Sequence, residues 1–402
     1  MIKKPLLALL AVWIAAPSAA QAENWPHWRG PYMDGSSDAT GLPESFSPTE
    51  NVRWALDMPG PSAAVPIVWE DRVFLSTVDL KAGELVAWCV SRESGETLWR
   101  HVVGEGLAKD DKSNYASPSP VTDGEVVVFF YGNGPLVAFD LEGSKLWEKD
   151  IQKEYGEFAF GWTFSSSPLI GGDKLYFQLL QRDVEANGFG KAEGNESFLL
   201  AFDLASGKEL WKVDRPSEAV MESREAFSSP ILYTHEDVTE LLVLGGDCLS
   251  GHDPETGAEK WRWGTWNPEQ EPFWRLVPSP VAGEGIILAC APKKNPVYAV
   301  KAGGKGSMGE EALAWVSEEA EVSADVPTPL FYQGRFYILN GAKHVLNCVE
   351  PASGKVIYSQ PLGDFVKKRA KFETSPTGAD GKIYFMDHLG QVFVVAAGDK
   401  FE

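Results

Sequence analysis

Apolar and polar positions along this chain recur as one phrase said seven times. A Pro preceded by Ser, Thr or Val stands at Pro66, Pro120, Pro168, Pro230, Pro280, Pro329 and Pro376. A run of β-branched and aromatic residues follows, then a Gly-containing turn, then usually a Trp: Trp99, Trp147, Trp211, Trp261 and Trp315, with Tyr358 in the sixth copy. A period of about 50 residues marks one supersecondary unit used repeatedly. The second copy is the clearest. Ser119-Pro120-Val121 opens a strand, Thr122-Asp123-Gly124 turns, Glu125 to Tyr131 is a strong β run, and Gly132-Asn133-Gly134 turns again. Residues 136–140 and a last stretch through Trp147 complete four short strands, with Gly where the turns need positive φ. The third copy adds an insertion from Asp183 to Glu196, and no helical period of useful length follows residue 22.

Runs such as Val126-Val127-Val128-Phe129-Phe130 are apolar on both faces and need cover on both. Units of this size cannot close a core singly and must stack. Four-stranded antiparallel sheets stacked radially make a β-propeller, and seven entries predict seven blades over one domain, residues 51–402. The seventh copy runs out after three strands, whereas residues 51–57, with Trp54, read as a fourth strand lacking its first three. Pairing residues 52–56 with 391–396 would remove two free edges, so closure is predicted there.

Residues 1–22 read differently. Lys3 and Lys4 precede an apolar run from Leu6 to Ala16, and Ala20-Gln21-Ala22 fits a signal-peptidase site. The run is short for a membrane span. An exported, soluble chain is expected, periplasmic or secreted and monomeric, without stable membrane insertion, with residues 23–50 as an N-terminal extension. The formal charge of −21 repels nucleic acid and anionic lipid. Lys367-Lys368-Arg369 with Lys371 is the local exception, read as a solvated basic loop. Cys89, Cys248, Cys290 and Cys348 form no CxxC pair and read as small buried apolar residues. Six scattered histidines lack HxH or HExxH spacing, no GxSxG elbow occurs, and the Ser runs at blade entries read as backbone-capping hydroxyls near the axis.

The stretch AFDLASGKELW at 201–211 resembles the tryptophan-docking repeats of quinoprotein, or PQQ-like, propellers, as do residues 252–261 and 140–147. The opening NWPHWRGP at 24–31 resembles that of exported bacterial PQQ-binding-like propeller proteins. The resemblance spans residues 24–402, and its alternative to seven blades is an eight-bladed member cut short. It implies a structural role for Trp99, Trp147, Trp211, Trp261 and Trp315 in docking onto neighbouring blades. Quinoprotein dehydrogenases, by the same resemblance, use a disulfide of adjacent cysteines, Ca²⁺ and an Asp base. This sequence has no adjacent cysteines and no CxxCH haem motif, and Glu157, Asp325 and Asp364 read as solvated loop acids. No cofactor is expected. The expectation is a non-catalytic binding module for a protein, peptide or cell-envelope component. The alternatives are an atypical PQQ-dependent oxidoreductase and an envelope-assembly scaffold. Counting back from each entry Pro puts Tyr115, Trp162, Arg224, Trp274, Arg275 and Lys371 on one face as the expected binding surface.

Overall fold

The computed structural model describes residues 23–107, 112–264, 266–293, 295–367 and 369–402. The expected signal segment and Lys368 lie outside them. Strands dominate, and the described residues hold one short α-helix, Ile151–Tyr155. Seven sheets follow one another along the chain, each running from an inner strand outward, and their inner strands begin at the seven entry prolines.

Blade 1 comprises Ile67–Trp69, Arg72–Asp79, Glu84–Ser91 and Thr97–Glu105 in antiparallel order. Blades 2, 3, 5 and 6 repeat that order, and the insertion of blade 3 is a two-stranded hairpin, Val184–Ala186 with Phe189–Glu193. Blade 4 carries a fifth strand. Gly306–Met308, from the last connection of blade 5, pairs in parallel with Glu259–Trp263 and covers its outer edge. In blades 1 to 6 the middle strands are largely buried on both faces, so the core is a set of apolar clusters sandwiched between sheets rather than a single centre. The four cysteines sit free and buried in blades 1, 4, 5 and 6.

Docking between blades follows one rule. In the turn of blade 3 the Asp203 carboxylate accepts from Ser206 N at 2.8 Å, and Gly207 takes φ +67°. A Cβ on Gly207 would lie 2.6 Å from the indole of Trp147, which comes from blade 2 and donates Nε1–H to Leu204 O at 2.8 Å. Only Gly fits a left-handed position roofed by an aromatic ring. Trp99 meets Gly143, Trp211 meets Gly257 and Trp315 meets Gly354 in the same way, each with its indole N–H on a carbonyl of the next blade's turn. Trp261 departs from the rule. It is buried against Gly251 of its own blade and donates to the Glu240 carboxylate, because the turn it would meet in blade 5 is replaced by the strand-bearing insertion.

Closure differs from the sequence expectation. The seventh sheet has three strands, Thr377–Ala379, Lys382–Met386 and Val392–Ala396, and residues 51–57 form no strand and no ladder with it. Ala396 N instead donates to Glu402 O of the returning C-terminal segment. Only Trp54 retains the expected place: its indole covers Gly95 and donates to Arg92 O at 2.9 Å, the docking contact a seventh-blade Trp would make on blade 1.

The N-terminal extension closes the ring from inside. Trp25 and Val68 exchange backbone hydrogen bonds at 2.7 and 2.9 Å on blade 1, and Thr122 of blade 2 donates to Pro26 O. Ser37 N and Gly378 O, then Gly378 N and Gly35 O, join the extension to blade 7 at 2.9 Å each, while Phe331 of blade 6 donates to Asp34 O. Farther out, Leu42 N donates to the Asp380 carboxylate and Tyr384 Oη to Pro43 O, so residues 36–44 run along blade 7. A segment on the axis reaches several inner strands at once, which an outer-edge strand cannot do.

Candidate functional site

The entry prolines explain themselves at the axis. The residue before each Pro but the last donates its N–H to the side-chain hydroxyl of its counterpart in the next blade. Val65 N meets Ser119 Oγ at 2.9 Å, Ser119 N meets Ser167 Oγ at 2.9 Å, and Ser167 N meets Ser229 Oγ at 2.8 Å. Ser229 N meets Ser279 Oγ at 2.7 Å, Ser279 N meets Thr328 Oγ1 at 2.9 Å, and Thr328 N meets Ser375 Oγ at 3.0 Å. A residue held extended by the following Pro presents its N–H sideways, and the ring satisfies that buried donor. Blade 1 begins with Val65, which has no hydroxyl, so the ring has no link from blade 7 back to blade 1.

Backbone pairing of the N-terminal segment with blade 1 at Trp25 and with blade 7 at Ser37 spans that gap, and Arg29 between them anchors the segment to the entries of blades 6 and 7. Arg29 is 2% exposed, and its guanidinium donates to Pro376 O at 2.9 Å, Pro329 O at 2.7 Å and Asp34 O at 2.9 Å. Burial pulls its pKa down to about 10 against the opposing pull of Asp34. Gly35 is Gly because a Cβ there would fall 2.1 Å from the guanidinium. Neighbouring His27 is held neutral by burial, which lowers its pKa to about 4.

Above this segment a cavity of about 960 Å³ opens toward the entry loops. Trp25, Trp28 and Arg29 form its floor, and the ring hydroxyls line its wall. Of the six residues expected on a binding surface, Trp162 (36% exposed), Arg275 and Lys371 border this cavity, from the entry loops of blades 3, 5 and 7. Arg275 lies 3.9 Å from Glu222, and the Lys371 backbone is held by His388, whose Nδ1 accepts its N–H at 2.8 Å. The other three lie elsewhere. Tyr115 packs on the core between blades 1 and 2; Trp274 packs on that of blades 4 and 5, its N–H on Ser223 Oγ. Arg224 ends a 3-10 turn, Met221–Arg224, and faces Asp183 at 3.5 Å beside the blade 3 insertion. Sequence reasoning missed Arg29, Trp25 and Trp28 as site residues. Their signal was the dense Trp/Arg/Pro/Gly opening ahead of the first repeat.

The residues do not fit a quinone held against a vicinal disulfide and a divalent cation. The buried thiols lie in separate blades and none borders the cavity. Among the described residues its carboxylates are Asp325, which accepts from Lys293 N, and Glu373. Among the described residues no group of three or more His, Cys, Asp or Glu is placed to hold a metal.

Comparisons with known proteins agree with this geometry. The family described as outer membrane protein assembly factor BamB matches residues 47–186. BamB from Moraxella catarrhalis is 12% identical, with a TM-score of 0.53 over 81% of this chain and 79% of its own. A europium-containing methanol dehydrogenase is 11% identical, with a TM-score of 0.61 over 94% and 86%. The quinohemoprotein alcohol dehydrogenase ADHIIG from Pseudomonas putida HK5 is 12% identical, with a TM-score of 0.56 over 93% and 71%. No curated protein matches the sequence. Identities this low speak for the fold alone. With its radial sheets and tryptophan-docked turns, the chain has a β-propeller fold similar to that of BamB and of the methanol and alcohol dehydrogenases.

Proposed function

We propose that this chain is an exported, non-catalytic binding module that takes its ligand or protein partner in the axial funnel on the entry-loop face. The observation that carries the reading is the convergence of Trp162, Arg275 and Lys371, far apart in sequence, on one cavity floored by the N-terminal segment. Aromatics and Arg at the mouth of a concave site are what recognition surfaces use. Export rests on the charged and apolar pattern of residues 3–22. The absence of adjacent cysteines from the sequence, and the poor fit of the funnel to a metal-backed quinone, support a non-catalytic role. The match of residues 47–186 to a family described as an assembly factor favours a protein of the cell envelope as partner.

The test uses residues 23–402 as bait in envelope extract, compared with the Arg275→Ala/Lys371→Ala double variant. Partner capture should be lost, while melting is nearly unchanged, since substitutions at exposed loops shift stability by about 0.5 kcal/mol or less. A folded variant that captures as before places the working surface elsewhere. PQQ-dependent dye reduction by the wild-type protein with Ca²⁺ would overturn the non-catalytic reading.

A further inference from the structure

The funnel wall has a chemical bias that the ring of hydrogen bonds creates. Ser119, Ser167, Ser229, Ser279, Thr328 and Ser375 each accept a backbone N–H, and none donates its own hydroxyl proton to another described residue. All six border the cavity. A hydroxyl whose oxygen is engaged as acceptor still carries an O–H to give. The wall therefore offers six donors from six blades around one axis.

Charge points the same way. Among the described residues, Arg29, Arg275 and Lys371 border the cavity with two carboxylates, Asp325 and Glu373, in a chain of net charge −21. Low-dielectric walls concentrate such a local field. An extended peptide backbone fits poorly, because it carries as many N–H donors as carbonyls and would set donor against donor. An oxyanion is acceptor-only and fits well.

Resting on the binding-module reading, we infer that the funnel is a receptor for acceptor-rich oxyanions, the carboxylates or phosphates of a small polyanionic ligand. The apolar faces of Trp25, Trp28 and Trp162 cover the remainder of such a ligand.

Titration calorimetry on residues 23–402 with citrate, pyrophosphate and the neutral polyol trehalose, at low salt, tests this. Citrate or pyrophosphate should bind, with affinity falling as NaCl rises, and trehalose should not. The preference between the two anions identifies which oxyanion the site is built for. Arg275→Gln/Lys371→Gln should weaken anion binding at least tenfold while circular dichroism and melting stay as in the wild type. Thr328→Val, which removes one donor from the wall, should weaken it too, by a smaller factor. The inference is overturned if neither anion binds at 10 mM, if trehalose binds as well as they do, or if the folded double variant binds them as tightly as the wild type. Loss of partner capture in Arg275→Ala/Lys371→Ala without any anion binding would leave the binding module standing and remove only the oxyanion. Unchanged capture with clear anion binding would do the reverse.

Discussion

Replacing Arg29 with Ala should loosen the hold of the N-terminal segment on blades 6 and 7. The side chain joins the carbonyls of Pro329 and Pro376, the entries of blades 6 and 7, and so anchors the N-terminal segment that bridges blade 7 to blade 1. Truncation leaves those two buried acceptors unpaired, at about 1–3 kcal/mol each. Removing a guanidinium that is itself desolvated offsets part of this, so the net loss is about 2–4 kcal/mol. The described and intervening chain from residue 23 has ~380 residues; at ~2.1 cal/mol/K per residue, the melting temperature should fall by about 3–5 °C. Differential scanning calorimetry on wild type, Arg29→Ala and Arg29→Lys at one pH measures it, with Lys expected between the two because it keeps the charge but not the three-way fork. Deleting residues 24–38, which spares Trp54, should be more damaging still. Melting of Arg29→Ala within 1 °C of wild type would refute the idea that this segment fastens the ring.

Two further outcomes follow from the same contacts. Ser229→Ala removes the acceptor of the buried Ser167 N–H and should cost about 1–3 kcal/mol in urea unfolding, whereas Ser353→Ala in an exposed turn should cost under about 0.5 kcal/mol; equal effects would show that the axial ring adds nothing. Glu225 has a fully buried side chain beside Arg182, and burial outweighs that guanidinium and the Gly161 N–H, raising its pKa from 4.5 to about 7. A raised folded-state pKa means the native state binds the extra proton, so this contribution is full below about pH 4.5 and is lost as pH rises through about 7. The melting temperature of Glu225→Gln should accordingly change less between pH 5 and pH 8 than that of the wild type, and parallel profiles would show that Glu225 does not titrate there.

Much of the fold was legible because its determinants are local and repeated. Each blade needs the same extended Ser-Pro entry, the same Gly under an indole and the same doubly apolar middle strands, and all three leave marks in sequence. The insertion at 183–196 was visible as an interruption of that rhythm. Closure was not legible, since the free edge of Val392–Ala396 admits any strand by pattern alone. What closes the ring is the backbone of the N-terminal segment inside it, which pairs with Val68 of blade 1 and with Gly378 of blade 7. Residues 51–57 read as a fourth strand by pattern; Trp54 makes the docking contact of one, but its neighbours do not form the ladder. The parallel strand Gly306–Met308 was hidden for a related reason, being short, Gly-bearing and paired outside its own blade. Counting back from each proline assumes entry loops of equal length and path. The 3-10 turn Met221–Arg224 breaks that assumption and carries Arg224 away from the axis. The ring hydroxyls were recognised as backbone caps, and the consequence, a wall with spare protons, needed the geometry.

The most direct measurement of the central claim is site-specific photo-crosslinking in envelope extract. A benzophenone-bearing phenylalanine is placed at Trp162, on the funnel mouth, or at Leu146, exposed on the outer strand of blade 2. The binding-module account predicts a discrete adduct from position 162, competed away by excess unlabelled protein, and none from position 146. An adduct from 146 with none from 162 would contradict it.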